Sequence, residues 1–146
     1  MKDIGNKDTI ARLKTMFLGY PQSTLGIDEV LFLDTTNGIA SAKYIAKEEM
    51  CHSGGIVQGG FVTGWIDAIM ALACMAKCGP DVLVLTLEIK ISFLNSAEVG
   101  EIISTAKVIK NTKSIAFLEG KIEDANGSLI AKGTCTAKLK NIFYKN

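Results

Sequence analysis

The sequence predicts an α+β fold: an antiparallel β-sheet wrapped around one long central helix. Three observations carry this expectation. One long apolar run, residues 61–78, is closed by Gly79-Pro80, as a helix is when a C-terminal glycine is followed by proline. Two strand-like stretches precede that run and four follow it, each joined to the next by a short turn. Strands joined that way are largely antiparallel, and a helix apolar nearly all round has to be wrapped by protein on most sides.

The elements follow in order. Residues 7–18 place Ile10, Leu13, Met16 and Phe17 at helical spacing, which predicts a short N-terminal helix. Asp8 or Thr9 is the expected cap, and Pro21 enforces a break. Residues 26–35 and 39–47 read as strands joined across Thr36-Asn37-Gly38, since Asn-Gly between apolar runs signals a hairpin. Residues 48–60 lack periodicity and hold Gly54, Gly55, Gly59 and Gly60, so a loop leads into the central helix. From Thr86 to Phe93 the chain alternates. Leu87, Ile89, Ile91 and Phe93 fall on one face; Thr86, Glu88, Lys90 and Ser92 fall on the other. Strands are then expected at about 99–110 and 114–123, with a turn at Asn111-Thr112-Lys113 between them. Asn126-Gly127 turns into a last strand that alternates from Leu129 to Lys140.

The 146 residues are the length of one domain. The expectation is a single domain over 1–146, with its core at about 20–140. Hydrophobic residues at 48% and charged residues at 21% exclude intrinsic disorder. Lys+Arg is 16 against Asp+Glu 15, so no basic field exists to hold a nucleic acid. The one histidine, His52, and the four cysteines show no C-x-x-C or H-x-x-x-H spacing, so no metal site is expected. Cys74 and Cys78 lie one helical turn apart in an apolar run and read as packed thiols. The N-terminus has no apolar stretch of the kind a secretion signal needs. The run from Phe61 to Ala76 is 16 residues with Asp67 inside it, short of the roughly 20 a membrane span needs. The cytoplasm is the expected location. A mean hydropathy of +0.27 suggests that apolar surface is buried between subunits.

Wound on a helix, Val62, Trp65, Ile66, Ile69, Leu72, Ala73 and Ala76 make a bulky face for the sheet. Gly60, Thr63, Gly64, Asp67, Ala71 and Cys74 make a face of small residues, where another backbone or a flat ligand can come close. Asp67 stands in the middle of that small face, beside Trp65, Ile66, Ile69 and Met70. A carboxylate buried there without a partner costs several kcal/mol. It is read as functional, against a solvated or backbone-capping role. Gln58-Gly59-Gly60 brings bare N–H groups to a helix N-terminus, a place that favours developing negative charge. Paired glycines could equally serve the turn alone.

His52 to Asp67, HSGGIVQGGFVTGWID, resembles the signature of the PaaI-like branch of hotdog-fold acyl-CoA thioesterases. The strand alternation from Thr86 to Phe93 fits as well, and the resemblance spans about residues 20–140. It implies a hotdog fold and a homodimer or dimer of dimers that hydrolyses acyl-CoA. Carried over by residue, the Gly59 amide would polarise the thioester carbonyl. Asp67, reaching across from the second subunit, would activate water or attack. Thr86 lies nearest to an assisting Ser/Thr. Two positions depart from the pattern: Gln58 stands where many members have His, and His52 where Asn is common. Glutamine can orient a substrate but cannot transfer protons near neutral pH. By its alternation Thr86 sits with Glu88 and Lys90 on the polar face, and reaches the site only if the strand bends there.

Gly60, Thr63 and Gly64 are the further substrate-binding candidates, with Lys110 and Lys113 as contacts for the phosphates of coenzyme A. The small-molecule acyl-CoA is the one partner besides other copies of the chain, and no cofactor is called for. Two other functions remain open on the sequence. One is a hotdog hydratase or dehydratase using His52 and Asp67. The other is an acyl-binding domain without turnover, favoured by the missing His at position 58.

Overall fold

The computed structural model describes residues 1–142. The element order is α1 (Lys7–Phe17), β1 (Ile27–Asp34), β2 (Ile39–Ala46), α2 (Gly59–Cys78), β3 (Val82–Phe93), β4 (Gly100–Asn111), β5 (Ile115–Asp124) and β6 (Leu129–Asn141). Short 3-10 turns at Glu48–Met50 and Ser53–Gly55 occupy the loop before α2. The six strands form one sheet in the order β1-β2-β4-β5-β6-β3, and every pairing is antiparallel. The sheet curls around α2, as the sequence leads one to expect.

The bulky face of α2 is the core. Trp65, Ile66, Ile69, Leu72 and Ala73 are all fully buried. The Trp65 indole N–H donates to the Leu25 carbonyl at 2.8 Å, which pins the segment between α1 and β1 against the helix. By length and composition α2 could cross a membrane, with 20 residues and hydropathy 1.5, but here it is the centre of the protein.

Two glycines let the helix lie close to the sheet. Gly120 of β5 and Gly133 of β6 are cross-strand partners. A Cβ on Gly120 would stand 3.1 Å from Ile66 and Met70. One on Gly133 would stand 2.8 Å from the Lys90 carbonyl and 3.2 Å from Ile66. Side chains at either position would push α2 off the sheet.

Two local readings change. Asn6, not Asp8 or Thr9, caps α1: its side chain accepts from the Thr9 N–H at 2.9 Å. The second concerns β3. Its ladder to β6 runs Thr86 to Ala137 and then Glu88 to Thr136, which leaves Leu87 as an extra residue in a bulge. Before the bulge the half-buried positions are Val82 and Val84; after it they are Ile89 and Ile91. Inward parity therefore switches from even to odd. Thr86, the last even position, faces α2 instead of lying with Glu88 and Lys90. Leu87, 60% exposed, does not share the inner face with Ile89 and Ile91.

Candidate active site

Gln58 caps α2. Its side-chain oxygen accepts from the Gly60 N–H at 2.8 Å, so the Gly60 amide is already satisfied. The Gly59 N–H donates to no described residue. It is an orphan donor at the positive end of a 20-residue helix, where an oxyanion is best stabilised. The ring of Phe93 lies alongside; a Cβ on Gly59 would stand 3.4 Å from it. Phe93, which the alternation places on one face with Ile89 and Ile91, is 55% exposed, so the amide opens beside an aromatic wall.

The loop before the helix is held from outside. Val57 N–H donates to Ala97 O at 2.8 Å and Gln58 N–H to Met50 O at 2.9 Å. Gly54 and Gly55 take left-handed backbone at φ +79° and +72° with open space around them, which a side chain would strain. His52 sits exposed at the start of this turn, its backbone N–H on Ile56 O. No contact joins His52 to Asp67 among the described residues.

Two helical turns on, Asp67 is half-buried. The Thr86 hydroxyl donates to its Oδ1 at 2.8 Å. That hydrogen bond exists because the bulge at Leu87 turns Thr86 inward. Behind Thr86 lies Cys135 of β6. Burial pushes this thiol up to about 11; the nearby Asp67 charge adds to the rise and the Thr86 hydroxyl opposes it. Farther along the helix, Cys74 and Cys78 lie one turn apart and interact. Cys74 is held up by its hydrogen bond to Cys78 and by burial, while Cys78 is lowered by the Cys74 donor.

The other candidates separate. Thr63 turns its hydroxyl back onto the Gly59 carbonyl at 2.8 Å. The close approach that Gly64 permits is taken by Leu25 of the same chain, 3.1 Å from where a Cβ would be. Cys74, placed on the small face from sequence, is fully buried. Lys110 is exposed and pairs across the ladder with Phe117. Lys113 borders a cavity of about 900 Å³ near the C-terminal end of α2, with Cys78, Ser114, Lys138 and Lys140.

The thioesterase superfamily profile matches residues 54–131, from the glycine loop through α2 to β6. The chain belongs to the thioesterase superfamily. A Saccharolobus solfataricus protein, provisionally named an esterase, is 28% identical over 127 residues, 86% of this chain and 89% of its own. The zebrafish thioesterase superfamily member 2 has a solved structure with TM-score 0.76 and 26% identity, covering 90% of this chain and 99% of that one. The Escherichia coli PaaI protein of the phenylacetic acid degradation operon superposes with TM-score 0.79 at 18% identity, over 92% of each chain. A Streptococcus mutans protein of this fold, TM-score 0.70 and 17% identity over 80% of this chain and 90% of its own, was solved bound to acetyl CoA. The hotdog fold and the PaaI-like resemblance both hold. Membership in the thioesterase superfamily supports thioester hydrolysis as this chain's general chemistry.

Proposed function

We propose that this chain hydrolyses acyl-CoA thioesters at a site shared by two copies, with the Gly59 N–H of one copy and the Asp67 carboxylate of the other. The observation that carries this is the spacing on α2. An orphan amide and a half-buried carboxylate lie eight residues apart on one uninterrupted helix, about 12 Å along its axis. One carbonyl cannot sit on both within a chain, whereas two antiparallel copies bring one of each together. Apolar side chains along the free edge of the sheet favour such a pair: on β3, Leu83, Leu85, Leu87 and Phe93 are 43–60% exposed.

In this reading the amide stabilises the oxyanion as water attacks, worth about 3–4 kcal/mol of barrier. Asp67 takes the proton from that water, oriented by Thr86. The tetrahedral intermediate collapses with cleavage of the C–S bond, and Asp67 returns its proton to the sulfur, so that coenzyme A leaves as the thiol and the carboxylate is regenerated. Gln58 contributes by capping α2 and thereby exposing the Gly59 amide, a role histidine is not needed for. Of the two phosphate candidates, Lys113 has the better surroundings, since it borders a cavity with two further lysines. The test is thiol release from short, long and aromatic acyl-CoAs by the wild type and by Asp67→Asn. At least a hundredfold loss of turnover with unchanged melting is expected. Wild-type turnover in that variant removes Asp67, and binding of acyl-CoA without any turnover by the wild type reassigns the chain as an acyl binder.

A further inference from the structure

The outer face of the sheet changes character along β5. Toward the end of that strand Glu119 and Lys121 point outward, and each is ion-paired at 2.9 Å, Glu119 with Lys107 and Lys121 with Glu123. That is how the solvated face of an antiparallel sheet ordinarily looks. Toward the start of β5 the outward positions are Ile115 and Phe117, since Ala116 and Leu118 are the buried ones. Phe117 is 42% exposed. Beside it, Ile109 is the extra residue of a bulge in β4, where the ladder runs Val108 to Leu118 and then Lys110 to Phe117. Ile109 is 56% exposed. Lysines border these apolar side chains. Lys110 is the ladder partner of Phe117 and Lys138 that of Ile115, and Lys140 follows on the same face of β6. None of the three pairs with a carboxylate among the described residues. On the rungs through Phe117 and Ile115 the one acid is Glu88, on β3 across from Thr136. The lysines come from different strands, so a net charge of +1 conceals them.

We propose that this end of the outer face docks on an anionic lipid bilayer, with Phe117 and Ile109 entering the headgroup layer and Lys110, Lys138 and Lys140 against the lipid phosphates. Apolar insertion or a few lysines alone hold a protein to a membrane weakly, and the two signals together hold it well. Each lysine near such a surface strengthens binding about fivefold. A second copy of the chain fits this face worse. An isologous contact would set unneutralised lysines against their own images, and like charges brought together repel. A protein partner fits worse too, because lysine is depleted from protein interfaces, where arginine and aromatic residues hold the partner. A lysine ammonium is a point charge on a flexible stem, and needs no fixed geometry to meet a layer of phosphates. Docking of this kind does not depend on the role given to Asp67, and it is read without turnover.

The test is flotation of the whole chain with vesicles of phosphatidylcholine alone, and of phosphatidylcholine and phosphatidylglycerol in equal parts. The wild type should float with the second kind only, and added salt should release it. Lys138→Gln combined with Lys140→Gln should weaken binding about 25-fold. Phe117→Ala should weaken it about 3–10-fold, with melting temperatures near wild type, as for surface changes generally. Phe117→Trp gives a second reading. Its emission should move to shorter wavelength on the anionic vesicles, against a constant signal from the fully buried Trp65. A wild type that stays behind, or a double glutamine variant that floats as well as the wild type, would overturn the proposal. Binding that needs the lysines but not Phe117 would overturn it in favour of an acidic protein. Lys138 and Lys140 also border the cavity beside Lys113, so release by saturating coenzyme A would overturn it in favour of the substrate's phosphates. An assembly that breaks down in Phe117→Ala, read by sedimentation, would assign the face to a second copy. Asp67→Asn should float as the wild type does, which keeps a failure of docking apart from a failure of the hydrolytic reading.

Discussion

Mixing two inactive variants tests whether the site is shared. Gly59→Pro deletes the amide proton and nothing else that is bonded, because that N–H has no partner among the described residues. Proline is favoured at the first helical position. The preceding Gln58 has φ −64° and ψ 135°, the extended backbone that a residue before proline prefers. The neighbouring Phe93 ring lies in ordinary contact distance of a Cβ there. The variant is therefore expected to fold and to lose about 10²–10³ in turnover, the worth of one oxyanion donor. Asp67→Asn is expected to lose at least a hundredfold. From attacking oxygen to donating nitrogen, a tetrahedral site spans no more than about 8 Å. The two groups are about 12 Å apart along α2, and Thr86 holds the carboxylate at its own turn. A two-fold pair of one chain of each kind then contains one doubly damaged site and one intact site. Co-expressed in equal amounts, half of the pairs are mixed, so the preparation should recover about 25% of wild-type thiol release. Mixed pairs purified on two different tags should show about half. No recovery in verified mixed pairs, or a wild-type chain that sediments as an active 15.6 kDa monomer, would refute the shared site.

Further outcomes follow from the scaffold. Asp34 is buried and accepts from the Thr36 N–H, the Asn37 N–H and the Asn37 amide, each at 2.8 Å. Burial opposes its ionisation, but these bonds and Lys77 bring it below its ordinary 3.8. Asp34→Ala should cost about 1–3 kcal/mol at neutral pH by urea unfolding. Because the folded value is the lower one, that advantage is full above the unfolded value and fades as pH falls through the folded one, so the two proteins should converge in stability in acid. Gly133→Ala should cost about 1–3 kcal/mol by overpacking against the Lys90 carbonyl and Ile66, read as a lower melting temperature. Cys78 should react with iodoacetamide at a lower pH than an ordinary thiol, supported by the Cys74 donor; Cys74→Ala should move its reactivity back toward the ordinary range, and peptide mapping locates the label.

Much of this was legible in the residues. The apolar run closed by Gly79-Pro80 announces α2, and Thr36-Asn37-Gly38 announces the first hairpin, because both signals are local backbone chemistry. Asp67 stood out for the same kind of reason: a carboxylate among bulky apolar neighbours needs an explanation. The orientation of Thr86 was not legible from its alternation with Glu88 and Lys90, since a period of two read across a bulge assigns the wrong face. A signal was present, though. Val82 and Val84 are even, Ile89 and Ile91 are odd, and the change of parity between them requires an extra residue. Gly120 and Gly133 carry no signal of their own in the sequence; their pairing under Ile66 shows what they make room for.

The bulge at Leu87 also says something about which strands could join the sheet. A free edge invites any extended peptide to continue the ladder, and β3 is such an edge. An ordinary strand laid along it would keep step over 82–86 and then fall out of step by one residue. In the pair of copies proposed above, the partner strand would bring the same irregularity, and a two-fold axis passing at Leu87 would set each kink against its own image. The irregularity would then work as a key cut into the edge, admitting the strand that carries the same cut and discouraging the many that do not.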